Sequence, residues 1–149
     1  MAIKKWTGST SGDFGVAGNW QDFSGGAWIA AVAAPADGDD IQIFEGRAID
    51  SGLDQVGGNL ASLRVSGNVG VGTPGSPLII GVSDGSDTYC LYQGRADCYL
   101  SAGTDNIDKA IVDSPGPGTL YLSGGTVTAL ECTQKGYVEV AAACVVTNI

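Results

Sequence analysis

The chain has no histidine. It therefore lacks the side chain that most often serves as general base, as activator of a nucleophile and as zinc ligand. Basic residues are scarce as well: four lysines and three arginines stand against thirteen aspartates and three glutamates, for a net charge of −9. Such a surface repels phosphate backbones and anionic lipid, so neither nucleic acid nor membrane is an expected partner. No apolar run approaches the roughly 20 residues of a membrane span. The lysines of Met1-Ala-Ile-Lys-Lys-Trp6 are not followed by the apolar stretch of about 7–15 residues that a secretory signal carries, so synthesis in the cytoplasm is expected. Long helix formers are few, which argues against helical bundles and coiled coils.

What is present is glycine, at 24 of 149 residues, together with valine, isoleucine, threonine, serine and aspartate. That is the composition of many short strands joined by tight turns. With 44% hydrophobic and 15% charged residues, disorder is a poor alternative. The length suits one domain with a real core.

Two compositional parts are visible. Residues 1–40 hold all three tryptophans, two of the three phenylalanines and a Gly/Ser/Asp-rich spacer. Residues 41–149 form a string of short β segments. Apolar residues there return at a step of 22: Ile41 to Leu63, Ile43 to Val65, Leu78 to Leu100, Leu100 to Leu122 and Leu122 to Cys144. The strongest match sets Cys98-Tyr99-Leu100-Ser101-Ala102-Gly103 over Leu120-Tyr121-Leu122-Ser123-Gly124-Gly125. A recurrence of this kind is what a β-solenoid needs, because each coil must place its apolar side chains above those of the coil before. The expected fold is thus all-β, a short β-solenoid of residues 41–149 behind an N-terminal aromatic cap or arm of residues 1–40. A β-sandwich or jelly roll is the alternative. The one helical turn expected lies near Trp28–Ala34, stopped by Pro35.

Nothing in the chain assembles a recognised catalytic motif. Glu45, Glu131 and Glu139 are the only glutamates, and the last two alternate with apolar neighbours as outward strand positions do. A small polysaccharide lyase or hydrolase working with two carboxylates is a minor alternative. Cys90, Cys98, Cys132 and Cys144 contain no Cys-x-x-Cys pair. They are expected as small buried hydrophobes with free thiols, with two disulfides as the other possibility. Asp37-Gly38-Asp39-Asp40 and Ser83-Asp84-Gly85-Ser86-Asp87 could offer oxygens to calcium, but Asp-Gly is first a turn signal, and no metal or cofactor is expected. Gly70-Val-Gly72-Thr-Pro-Gly75 lacks the lysine of a phosphate loop.

Trp6-Thr-Gly8, Gly12-Asp13, Ala17-Gly18-Asn19-Trp20 and Pro35-Ala-Asp37-Gly-Asp39-Asp40-Ile41-Gln-Ile43 together form a pattern. It resembles the start of β-helical proteins of phage virions and of autotransporter-type adhesins. In those proteins an aromatic opening leads through an Asp-rich turn into the first solenoid strand. The resemblance covers about the first 43 residues. The short chain without a signal favours the phage side. The resemblance then implies a non-enzymatic virion protein, a capsid decoration (cement) protein or a small head or tail appendage. Such a protein would form a homotrimer on the major capsid protein or another virion protein. Contact is expected through residues 1–40. Trp6, Trp20 and Trp28 would be anchors or cap packing, and Ile3, Lys4 and Lys5 a flexible arm. The competing reading is a carbohydrate-binding or adhesive module in which Tyr89, Tyr92, Tyr99 and Tyr121 stack on sugar rings.

Overall fold

The computed structural model describes residues 1–133 and 135–149. It is a β-solenoid of about five turns, with no α-helix among the described residues. The first coil runs through β4 (Asp40–Ile43) and β5 (Asp54–Leu60), the second through β6 (Ser62–Gly67) and β7 (Leu78–Val82). The third takes β8 (Tyr89–Gly94), β9 (Cys98–Ser101) and the start of β10 (Asn106–Val112). The fourth uses the rest of β10, β11 (Thr119–Leu122) and the start of β12 (Gly125–Cys132). The fifth ends in β13 (Tyr137–Val140) and β14 (Cys144–Asn148).

Successive coils pair in parallel and expose three faces. On the first, Ile41, Leu63, Cys90, Ala110 and Leu130 stack in register. On the second, the column is Ile49, Val71, Cys98, Leu120 and Val138. On the third it is Leu60, Val82, Ile107, Val127 and Val146. The members from the first four coils are buried throughout, so the three columns meet in one continuous core. Each buried aliphatic side chain stabilises the fold by about 1.5–3 kcal/mol against exposure. Backbones cross closely at the corners. Gly67 has φ +69° and a Cβ there would strike the Phe44 carbonyl of the coil below, so only glycine fits.

The step of 22 holds for Ile41/Leu63, Ile43/Val65, Leu78/Leu100 and Leu100/Leu122. It fails at the end: Leu122 pairs with Val140, and Cys144 with Gly125. Later coils are shorter, Cys90 lying 20 residues before Ala110 and Ala110 20 before Leu130. The second coil is longer, with 27 residues from Leu63 to Cys90. The surplus is the turn Ser83–Asp87. It replaces the three-residue step that joins third face to first at Ile107/Ala110 and Val127/Leu130.

The cap consists of β1 (Ile3–Trp6), β2 (Trp20–Ser24) and β3 (Ala27–Ala30). β1 continues the first face, pairing in parallel with β4, while β2 and β3 fold back antiparallel. Two expectations are corrected here. Trp28 and its neighbours form strand β3 rather than a helical turn, because Gly25 and Gly26, both at positive φ, close a two-residue hairpin that sets the register Ser24↔Ala27. Ile3, Lys4 and Lys5 are not a flexible arm: they lie in β1, held between β2 and β4.

Candidate functional site

Of the residues expected to make contacts, Trp6 and Trp20 are fully buried. Their rings meet edge to face at 5.1 Å, and Phe14 meets Trp20 at 5.0 Å, also edge to face. Both indoles are satisfied internally: Trp6 Nε1 donates to the Arg47 carbonyl at 2.9 Å and Trp20 Nε1 to that of Phe14 at 2.8 Å. They form the lid of the core and offer no surface. Asn19 locks this lid. Its Oδ1 accepts from the Thr10 and Ser11 amides at 2.9 Å each and from the Thr10 hydroxyl at 2.7 Å. Its Nδ2 donates to Ser11 Oγ at 2.9 Å and to the Asp13 carbonyl at 2.8 Å. Lys4 is buried above Ile41, its ammonium held by Asp22 at 2.6 Å and the Ala33 carbonyl at 3.1 Å. Only Ile3, Lys5 and Trp28 reach the surface. Trp28 leans on Phe23, with Lys5 Nζ 5.1 Å from its ring.

The four tyrosines considered for sugar stacking separate into three environments. Tyr92 is a core residue, its hydroxyl donating to the Ala96 carbonyl at 2.8 Å, which corrects its assignment to a binding face. Tyr89 is covered by Arg64, whose guanidinium sits 5.4 Å from the ring centre. Tyr99 and Tyr121 are half-buried on the outside of the second face, stacked at 4.3 Å with planes 9° apart. They border an open groove of about 420 Å³ whose walls include Pro74, Ser123, Glu139 and Val140. Partial desolvation, then the nearby Tyr121 and Asp97, push the Tyr99 hydroxyl above its ordinary range.

Among the described residues the opposite end of the solenoid has no counterpart to the tryptophan lid. Tyr137, Val140 and Val145 are well exposed on the last coil, and Val138 and Val146 are half-buried. Cys132, expected in the core, is exposed: it takes the rung after Val112, where no described residue stacks on it. The other three thiols are buried and free. Burial pushes Cys90 up to about 12, Cys98 well above its ordinary value and Cys144 upward, so these thiols stay protonated and inert.

Two carboxylates of the Asp37–Asp40 run are tied up by backbone amides. Asp39 accepts the Ala2 and Ala36 amides at 2.7 and 3.0 Å, and Asp37 accepts the Asn59 amide at 2.9 Å. Ser83 anchors its turn by donating to Asn59 Oδ1 at 2.9 Å. Among the described residues no three acidic or thiol side chains converge as a metal site requires. Glu45 pairs with Lys5 at 3.5 Å and Glu131 with Lys109 at 2.8 Å, leaving Glu139 in the tyrosine groove. Of the seven cations, Lys4 and Lys5 lie on β1, Arg64 on the first face, Lys109 at the corner that leads into it and Arg47, Arg95 and Lys135 at the corner that follows it, so the second face carries no cation. Comparison with family models, with curated proteins and with solved structures returned no match.

Proposed function

We propose that this chain is a structural protein of a phage particle, of the capsid-decoration type, which works by docking and makes or breaks no bond. The observation that carries the reading is the inequality of the two ends. One end of the core is shut by Trp6, Phe14 and Trp20, while the other leaves Val140 and Val145 exposed and Val138 and Val146 only half-buried. Edge strands left open in this way invite pairing with another chain, and exposed apolar patches mark interaction sites. The occupant is the assembled coat. The last coil carries Glu131, Lys135 and Glu139, close to neutral in a chain of −9. Like the three coils before it, it therefore sets little charge against an approaching protein surface, and it alone of them also leaves its apolar rung open. The resemblance of the cap to virion β-helices supports the same reading and adds the homotrimer.

The test is direct. Particles released by the phage that encodes the chain are purified, stripped of the chain by mild denaturant and re-titrated with it. Saturable rebinding, lost in the double variant Val140→Asp/Val145→Asp, supports the proposal. Absence of the chain from washed particles overturns it. Light scattering on the free protein tests the trimer, which has three times the 15.0 kDa of one chain.

A further inference from the structure

The groove beside Tyr99 and Tyr121 runs up to the last coil, with which it shares Glu139 and Val140, but its aromatic pair belongs to the third and fourth coils and takes no part in the docking reading. Tyr99, Tyr121 and Glu139 occupy consecutive rungs of one outward column on the second face. Two rungs are aromatic and stacked; the third breaks the aromatic run with a carboxylate. A purely structural ladder would gain from a third ring. The change to Glu139 instead sets an anionic acceptor next to the free side of the Tyr121 ring. Pro74, from the segment between β6 and β7, and Ser123 also line the groove. Ser123 Oγ donates to the Leu100 carbonyl at 3.1 Å, which leaves the hydroxyl oxygen able to accept.

We infer that this groove is a binding site for a neutral saccharide. A pyranose has an apolar C–H face and a rim of hydroxyls. The C–H face suits an aromatic ring. Adjacent hydroxyls suit a carboxylate, which accepts two charge-assisted hydrogen bonds. The volume of about 420 Å³ accommodates one or two sugar rings. Charge selects within the class. The groove walls hold Glu139 and no lysine or arginine, and the second face carries no cation. Uronic and sialic acids would therefore meet an unpaired carboxylate, and neutral hexoses or N-acetylhexosamines would not. Tyr99 keeps its proton well past neutral pH and so remains a donor at the rim.

The experiment uses the full chain and saturation-transfer NMR against oligosaccharides of glucose, galactose, mannose and N-acetylglucosamine, with glucuronate oligomers as the charged control. At least one neutral series is expected to bind. Tyr121→Ala should abolish the transfer. Glu139→Gln should weaken the affinity about tenfold, the scale of one charge-assisted hydrogen bond. Tyr99→Phe, which keeps the stack, should cost less than Tyr121→Ala. Unchanged amide spectra outside the groove show that each variant remains folded. The inference is overturned if no neutral series binds, if only glucuronate binds, or if binding survives both Tyr121→Ala and Glu139→Gln. Saccharide binding by a chain that never rebinds particles would instead leave an adhesive module, so the two proposals fail separately.

Discussion

The two ends of the solenoid solve one problem in opposite ways. A stack of parallel coils ends in an apolar layer and a row of unpaired backbone groups, and both must be covered. At the N-terminal end the chain covers them itself. β1 adds a rung, β2 and β3 fold back over it, and two indoles and a phenyl ring seal the layer. At the other end the fifth coil follows the same three faces with smaller residues, Val138 and Val146, and no aromatic lid stands over them. The difference teaches that stability and availability are placed apart. The capped end is built of large side chains whose two indole nitrogens are both partnered; the open end is built of small ones that another surface can take over.

Stability measurements can break this comparison. The largest effect is expected at the lid. Trp20→Ala removes a ring that touches both Trp6 and Phe14, and should cost about 3–5 kcal/mol in a urea titration. Val146→Ala, the matching truncation at the open end, should cost less than about 1 kcal/mol because the residue is already half exposed. Equal losses would mean that the open end is packed in solution by something other than the chain's own five coils. Next comes Asn19. Asn19→Ala leaves the Thr10 and Ser11 amides without their acceptor, and should lower stability by about 2–3 kcal/mol. Asn19→Asp keeps the acceptor and loses the two donated bonds, so its melting temperature should fall between those of the wild type and the alanine variant.

Much of this architecture is legible in the residues, and the losses have physical causes. The 22-residue step is visible because Ile41/Leu63 and Tyr99/Tyr121 sit in coils whose corners have equal length. It is lost between Leu63 and Cys90, where Ser83–Asp87 lengthens one corner, although it holds across that turn for Leu78/Leu100, and it is lost again where the last coils shorten, since a register counted in residues cannot see a corner inserted on the surface. Cys132 illustrates a second limit: its apolar neighbourhood marks an inward rung, but burial needs a following coil. Trp28 illustrates a third. The Gly25-Gly26 pair is a hairpin signal in the sequence, and alanine-rich flanks masked it. In the candidate groove, Tyr99 and Tyr121 follow from the repeat, whereas Glu139 does not, because the step from Tyr121 to it is 18 residues.

Alkaline pH sharpens the contrast between interior and open end. In the folded chain Cys90 is raised from 9.0 to about 12 by burial, and Cys98 is also raised well above 9.0. Above pH 9 the unfolded chain releases these protons and the folded chain keeps them, so stability falls as pH rises from 9 toward 12 and is unaffected by these groups below that window. The slope approaches about 1.4 kcal/mol per pH unit for each such thiol. Urea midpoints at successive pH values should therefore decline less steeply in Cys90→Ala than in the wild type. Iodoacetamide on the native protein should modify Cys132, which is exposed, ahead of Cys90 and Cys98.

The smallest effect expected is in backbone protection. Amides of β9 and β11 lie between coils on both sides, whereas β13 and β14 pair along one edge only. Opening the last coil breaks half as many ladders and uncovers little apolar surface, so its amides should exchange about tenfold faster than those of β11, a difference of about 1.4 kcal/mol in opening free energy. β3 is also an edge strand, but β2 beneath it is pinned by Trp20 and Asn19, and the β1 and β2 amides should match the interior. Equal protection at the two ends of the dilute protein would remove the basis for assigning the docking role to the last coil. Protection of β13 and β14 that rises with protein concentration would show the open end pairing with a second copy in place of a coat.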